Sequence, residues 1–445
     1  MTPGARIQAT IDILDQIGLA KNPTDTIVDT YFRKRRYAGS SDRRSITSRV
    51  YNILRRRAHL DWWIERTGGF SEPDSRARVL SDMALDEKVS PEQAAQLFTG
   101  GTHCPATLSE GELALAQNLY GRPLGHADMP VDVRMEFPQW MEASLRELWG
   151  DQLETEMAAL NQQAPVDLRV NTLKSSWEQV MASLEANGLE GEPTALSPIG
   201  IRLVGHPRLG GSQALNNGWI EIQDEGSQLV SLLVDARPGM TVIDLCAGAG
   251  GKTLAILANM SMGKQISGRL IACDISNNRL DRMDTRLKKA VAHKKDTRFV
   301  EKRVLSARSD SWIADHPEMA DRVLIDVPCT GTGVWRRDPA ARWRFNPDDL
   351  DELVIIQQNI LEDAATLVKP GGRLIYVTCS LLREENELQI DQFTKNHAQF
   401  SLLPTEQVWA ETIGGSLPLS TTQLRLSPAS TGTDGFFCTV LEKSS

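Results

Sequence analysis

The feature that most limits the fold of this chain is the alternation of strand-like and helix-like runs from about Gln223 onward. Short apolar runs read as strands at Thr241–Leu245, Arg269–Cys273, Arg298–Leu305, Arg322–Asp326 and Arg373–Thr378, with helices between them. The clearest helix runs from Leu353 to Val368, with Leu353, Ile356, Ile360, Ala364 and Leu367 on one face. Lys369-Pro-Gly-Gly372 ends it. Strands joined by crossover helices predict an α/β domain over 223–445, doubly wound around a mainly parallel sheet. In such sheets ligands sit beyond the carboxyl ends of the strands.

Three strand ends carry chemistry. The first opens into Asp244-Leu-Cys246-Ala247-Gly248-Ala249-Gly250-Gly251-Lys252-Thr253. Its glycines allow close approach of a ligand to the backbone, and the helix beyond offers free N–H groups. Spacing excludes two familiar loops: a Walker A loop needs glycine where Cys246 stands, and the dinucleotide fingerprint needs one at Thr253. The second strand ends at Asp274, an acid suited to a ribose diol or, by itself, to capping a helix. Two further strand ends deliver thiols, in Asp326-Val-Pro-Cys329-Thr-Gly-Thr-Gly333 and in Thr378-Cys379-Ser380. A lone cysteine at a strand end is most simply a small buried side chain. Two thiols at one sheet edge are instead candidates for nucleophilic chemistry, and either could attack.

The six cysteines include no CxxC pair, so a zinc ribbon or a redox motif has no support and no metal is expected. No run approaches a membrane span, and a reducing cytoplasmic compartment fits. The net charge of −9 excludes a chain that is basic overall, yet Arg33 to Arg57 holds ten Lys/Arg against one acid, Asp42. That stripe is either a phosphate-contacting face or a merely solvated helix surface.

Residues 1–135 read as a small all-helical domain. Ile7, Ile11, Leu14 and Ile17 recur at helical spacing, as do Ile46, Val50, Ile53 and Leu54. Trp62 and Trp63 are better read as core than as base-stacking platforms. Arg76–Phe98 and Glu110–Tyr120 look helical, and so does the amphipathic stretch from Phe137 to about Gln163, which Pro165 breaks. Residues 136–222 then form a linker helix and a small α+β module: a strand at Val166–Val170, a helix at Ser176–Asn187, a strand near Ile199–Val204, and a strand or turn at Gly218–Ile222.

These motifs together resemble the Nol/Nop/Sun family of RNA cytosine-5 methyltransferases. The likeness extends to Arg169-Val-Asn-Thr-Leu-Lys174, Gln223-Asp-Glu-Gly-Ser227, Glu384-Glu385-Asn386 and Thr433-Asp-Gly-Phe-Phe437, covering roughly residues 137–445. The N-terminal run, with Asp42-Arg-Arg and Val50-Tyr-Asn-Ile-Leu-Arg-Arg-Arg57, is similar to the NusB-like RNA-binding domain of the bacterial RsmB (Sun/Fmu) branch. The α+β module resembles that family's RRM-like domain. Two places depart from the pattern. The usual Ala-Pro of the first loop is Gly248-Ala249, and the Gly-Asp-Ala that meets adenine reads Val304-Leu-Ser-Ala-Arg-Ser-Asp310, which leaves the adenine contact unassigned.

The resemblance implies a Rossmann-like class I S-adenosylmethionine-dependent fold and methyl transfer to carbon 5 of a cytosine in RNA, small-subunit ribosomal RNA first. Cysteine addition to carbon 6 makes carbon 5 nucleophilic. It implies Cys379 as nucleophile, Cys329 in product release, Asp326 at the cytosine amine or N3, and Lys252 beside them. The cofactor would lie against Cys246 to Lys252, Asp274, Arg279 and Asp326. Phosphates would meet Arg33, Lys34, Arg35, Arg36, Arg43, Arg44, Arg55, Arg56 and Arg57, together with Arg336, Arg337, Arg342 and Arg344. A monomer is expected. The competing readings are a transfer-RNA substrate, a non-catalytic RNA-binding assembly factor, and a small-molecule methyltransferase. The last gives the basic stripe no role.

Overall fold

The computed structural model describes every residue except 21, 68–71, 264, 307–309 and 418–421. Its contacts divide the chain into two compact units: Met1–Gln162 with Trp335–Pro347, and Gln163–Val334 with Asp348–Ser445.

The first unit is helical. Its first helix, Pro3–Leu19, starts where the Thr2 hydroxyl accepts from the Ala5 N–H. Ile7, Ile11, Leu14 and Ile17 are buried, as are Ile46, Val50, Ile53 and Leu54, so both periodic faces point inward. They join Leu60, Trp63 and Phe98 in one core, and the Trp63 indole donates to the Leu124 carbonyl at 2.8 Å. The helical stretch Arg76–Phe98 is two short helices, Ser75–Leu85 and Pro91–Leu97. Lys88 adopts φ 55°, and Ser90 caps a fresh start with Pro91 in the first turn. The amphipathic stretch after Phe137 is likewise broken, into Glu142–Trp149 and Leu153–Leu160, at Gly150 with φ 48°.

These last helices fall in the first compact unit, which runs to Gln162. The Asn161 amide donates to the Arg55 carbonyl at 3.0 Å. The segment Trp335–Pro347, which follows the Pro-Cys motif in sequence, belongs to this unit too. Its Arg342 donates to the carbonyls of Glu136 and Leu160 at 2.9 and 3.1 Å, and Ala340 is part of the helical core.

The second unit opens with an antiparallel sheet of β1 (Asp167–Val170), β2 (Gly191–Pro193), β3 (Gly200–Leu203) and β4 (Ile220–Ile222), in the order β2-β3-β1-β4. One face packs Leu168, Val170, Ile201 and Ile220 against Val180 and Leu184 of the helix Trp177–Ala186. The other face is polar, with Asp167 holding Arg202 through both oxygens at 2.7 and 2.9 Å.

Beyond it come β5 (Thr241–Asp244), a small hairpin of β6 (Ser261–Met262) and β7 (Gln265–Ile266), then β8 (Arg269–Asp274), β9 (Val300–Val304), β10 (Ala320–Asp326) and β11 (Val368–Thr378). Three C-terminal strands follow, β12 (Phe400–Leu402), β13 (Leu424–Leu426) and β14 (Phe436–Lys443). Among the described residues the large sheet runs β12-β14-β11-β10-β5-β8-β9, with β13 paired to β14. The five expected strands pair in parallel, whereas β14 is antiparallel to β11, β12 and β13. Alternate residues feed two cores. Val242, Leu270, Leu324 and Ile375 face one side, and Ile243, Ile271, Val323 and Leu374 the other. Burial on both faces is why these strands read as continuous apolar runs.

From β5 the chain moves outward to β8 and β9, then returns to the other side of β5 to lay down β10 and β11. The order therefore reverses between β5 and β10, where open α/β sheets bind ligands. The glycine loop leaves β5, and the two cysteine loops leave β10 and β11, so the topology alone gathers them at one place. Among the described residues no helix is long and apolar enough to cross a membrane.

One expected face is rotated. The helix Pro347–Leu367 exposes Ile356 and buries Gln357, Leu361 and Ala364. The reason lies in the site: Gln357 is turned inward to donate to the Pro328 carbonyl at 2.9 Å and to the Glu385 carboxylate at 3.0 Å.

Candidate active site

The glycine loop is shaped by two left-handed residues, Gly248 (φ 55°) and Gly250 (φ 85°). A Cβ on Gly250 would also meet Met283 at 2.5 Å, so no other residue suits that position. Around Gly248, by contrast, a Cβ would find nothing within 4 Å. That open, side-chain-free face fits a bound cofactor. The loop is anchored from behind: Ala247 N–H donates to the Cys273 carbonyl at 2.8 Å, and Arg286 to the Ala249 carbonyl at 2.8 Å. Asp274 accepts from Gly248 N–H at 2.9 Å and Ser276 N–H at 2.7 Å, so this carboxylate both caps its own turn and sets the loop. Arg279 lies 4.0 Å from Asp274, with its side chain largely exposed. In the run expected to meet adenine, Ala307, Arg308 and Ser309 lie outside the described residues.

Asp244, at the end of β5, accepts from the Thr253 hydroxyl at 2.6 Å, while its other oxygen is buried without a partner. An orphaned buried acceptor beside an open glycine face is what a cationic ligand group would satisfy. Burial pushes the Asp244 carboxyl up to about 7, with the Asp326 and Asp274 charges adding to it and Thr253 and Lys252 opposing. The sign follows: a carboxyl raised in the folded state contributes stability fully present below its unfolded pKa, about 3.9, and lost as pH rises through 7. We expect Asp244→Asn to melt higher than the ligand-free parent at pH 8, and the gap to shrink or reverse at pH 5. Identical pH dependence in the two proteins would contradict this.

Lys252 extends from the first turn of the helix Gly251–Asn259 to Asp326 at 2.6 Å, and its ammonium stands 5.3 Å from the ring centre of Phe436. Burial alone would lower its pKa. The Asp326 charge overrides that and, helped by Cys379 and Asp244, holds the group firmly protonated. Beyond Asp326 the two sulfurs meet, Cys329 Sγ lying 3.4 Å from Cys379 Sγ. The hydrogen bond to Cys379, then burial, then the charges of Cys379 and Glu385 push the Cys329 thiol well above its usual range. Cys329 is thereby held as a protonated thiol. Burial also keeps Cys246 a neutral thiol.

What fixes the two cysteine loops is Glu385. Fully buried, it accepts from Thr330 N–H at 2.8 Å and the Thr330 hydroxyl at 2.5 Å, one residue past Cys329. It also accepts from the Ser380 hydroxyl, one residue past Cys379, and from Gln357. Asn386 continues the clamp, accepting from Thr378 at 2.5 Å and donating to the Ser380 carbonyl at 2.9 Å. Gly333 N–H donates to the Cys379 carbonyl at 2.9 Å, and a Cβ on Gly333 would strike the Gly435 carbonyl oxygen at 2.3 Å. The Thr433–Phe437 run thus closes the same frame. Sequence reasoning quoted Glu385 and Phe437 only as motif letters and gave no role to Gln357, Phe436 or Asp244. The one available signal was a glutamine lodged among the apolar positions of a helix.

The arginines separate into two groups. Arg33, Lys34, Arg36 and Arg44 are exposed on the helical unit. Arg35 stacks on Tyr31 and approaches Asp12, each at 3.7 Å. Arg43 bonds the Ala38 carbonyl, Arg55 the Arg336 carbonyl, Arg56 Asp82 and Asp86, and Arg57 Asp61. Arg336 and Arg342 are buried, Arg344 pairs with Asp338, and Arg337 is half-buried. Arg342 is thus a tie within the helical unit and Arg336 is buried there, which takes these two off the expected phosphate face. Once inside, an arginine must be paired to offset its desolvation.

A mainly parallel sheet with a glycine cradle after its first strand and an acid ending the next is the Rossmann-like fold of S-adenosylmethionine-dependent methyltransferases. Residues 231–442 match the family described as 16S rRNA methyltransferase RsmB/F, and residues 137–208 match its RsmF/B-like ferredoxin-like domain. A probable ribosomal RNA small subunit methyltransferase B from Synechocystis sp. is 31% identical, over 97% of this chain and 98% of its own. The ribosomal RNA small subunit methyltransferase B of Erwinia tasmaniensis is 33% identical over 69% of this chain and 66% of its own. Among solved structures, PH0851 superposes with a TM-score of 0.78 at 29% identity, covering 100% of this chain and 99% of that one. This chain belongs to the RsmB/F methyltransferase family.

Proposed function

We propose that this protein methylates carbon 5 of a cytosine in RNA, with small-subunit (16S) ribosomal RNA as the substrate, through a covalent cysteine adduct. The observation that carries the reading is the pair of sulfurs 3.4 Å apart beside the Lys252–Asp326 ion pair. S-adenosylmethionine, held along Cys246–Lys252 with Asp244 and Asp274, supplies an electrophilic methyl group. Everything else falls to the chain. The Cys379 thiolate adds to carbon 6 of a cytosine extruded from its stack, and the ring electrons move to carbon 5, which takes the methyl. Asp326 meets the cytosine amine or N3, and Lys252 balances the charge that gathers there.

The electrostatics support an order of events for the cysteines. Two of the causes that hold Cys329 protonated are the hydrogen bond to Cys379 and the charge of Cys379. Once Cys379 sulfur is bonded to carbon 6 it is neutral, and both causes vanish. Cys329 then loses its proton to solvent and accepts the one on carbon 5. The carbon 5–hydrogen electrons rebuild the ring double bond and expel Cys379 as thiolate.

The test is methyl transfer from labelled S-adenosylmethionine to protein-free 16S RNA and to transfer RNA side by side. We expect label on 16S RNA alone, mapped by bisulfite sequencing to one cytosine. Label on transfer RNA alone would keep the chemistry and overturn the substrate.

A further inference from the structure

The helical unit contains an open cavity of about 470 Å³ between the helices Thr24–Arg33 and Ser40–Arg55. Its floor is apolar, made by the buried side chains of Val28 and Phe32. Thr47 and Tyr51 form a wall, and the Tyr51 hydroxyl makes no hydrogen bond among the described residues. Burial, followed by the charges of Asp25, Asp338 and Asp29, pushes that hydroxyl up to about 12, so it stays neutral. The lining carries both charges, Arg33 and Arg43 against Asp25 and Asp29. Arg43 is held in place, with its Nε bonded to the Ala38 carbonyl at 2.9 Å and its guanidinium 5.4 Å from the Phe32 ring centre. Exposed Lys34, Arg36 and Arg44 adjoin it in sequence.

This combination is selective. Guanidinium groups alone would suit any phosphate, and carboxylates alone any cation. Aromatic side chains in the same lining suit a nucleotide, with the base against a ring, an exocyclic amine toward the acids and the phosphate toward the arginines. Unpaired RNA bases are read in this way, by stacking and edge hydrogen bonds. The volume lies within the range of small-ligand pockets, roughly 300–1,000 Å³. We infer that this cavity seats one unpaired, amine-bearing nucleotide of the RNA substrate, with its base against Phe32 and Tyr51 and its phosphate at Arg33 and Arg43. The inference rests on the reading above that the substrate is RNA.

The test uses the full chain and 16S RNA. Thr47→Trp fills the cavity from its wall, and Asp29→Asn, at an exposed rim position, removes one acceptor without disturbing any packing. We expect Thr47→Trp to raise the KM for RNA about tenfold, the scale of losing one stacked base, with kcat unchanged, and Asp29→Asn to raise it several-fold. Ultraviolet crosslinks from wild-type protein to the RNA should map to Phe32 or Tyr51. Methylation with parental KM in both variants would sink the cavity and leave the methyltransferase reading standing. Crosslinks at Phe32 or Tyr51 without methyl transfer would do the reverse. Neither crosslink nor transfer would remove both.

Discussion

Cys329→Ala should accumulate a covalent protein–RNA complex that survives a denaturing gel, while Cys379→Ala should form none and transfer no methyl. Both variants are expected to lose at least about 10³-fold in turnover, the scale of removing a group that acts directly on the reacting atoms. They fail at different points. Without Cys379 no sulfur adds to carbon 6, and alanine leaves only a small gap at a half-buried position. Without Cys329 addition and methylation proceed, but nothing takes the carbon-5 proton and the ring cannot expel its sulfur. The two assignments therefore predict opposite gels. An adduct accumulating in the Cys379 variant would exchange the roles. Adduct in neither variant, with 16S RNA and cofactor present, would remove covalent catalysis altogether.

The second large effect is expected at Glu385, which touches neither sulfur. Glu385→Ala would leave the Thr330 amide and hydroxyl, the Ser380 hydroxyl and the Gln357 amide buried without their acceptor. At about 1–3 kcal/mol per stranded group, and less than additive, a loss of roughly 3–5 kcal/mol follows. Glu385→Gln is the more informative variant. It keeps the volume but loses the charge and sets an amide N–H₂ among the Thr330 and Ser380 hydroxyls, which must reverse their hydrogen bonds to accept it, so the protein should fold while the loops carrying Cys329 and Cys379 shift apart. A misplacement near 1 Å costs on the order of 10²-fold in rate. The check is kcat beside the melting temperature: kcat should fall by about that factor while the KM for RNA stays put. Parental kcat in a folded Glu385→Gln protein would reduce the residue to ordinary packing.

The parts of this architecture that could be read from the sequence are those governed by short-range rules. The parallel strands announce themselves because burial on both faces makes each an unbroken apolar run, and Gly248 and Gly250 stand where the backbone turns left-handed. Pairing across the sheet is a different matter. The run Phe436-Phe-Cys-Thr-Val440 is apolar enough for a strand, but nothing local says that it inserts antiparallel beside β11. At Gln357 the helix obeys the site rather than its own hydrophobic stripe, so periodicity assigned the inward face to Ile356. Arg342 was misplaced for a related reason: a count of charges cannot separate a guanidinium facing solvent, such as Arg36, from one bonded to main-chain carbonyls, such as Arg342. The thiols at Cys329 and Cys379 were legible as a pair, yet their 3.4 Å separation is the work of Glu385 and Asn386, residues that follow the second motif.

The course of Trp335–Pro347 changes what counts as a removable part of this protein. The chain enters the helical unit twice, first as its N-terminal helices and again directly after the Pro-Cys loop. A gene shortened to begin at Gln163 would not encode a free-standing enzyme minus an accessory. It would encode a loop whose Arg342 guanidinium has lost the Glu136 and Leu160 carbonyls that receive it. Heredity therefore handles the two units as one item: a lineage that discarded the helices would have to rewrite the loop after Cys329 in the same step.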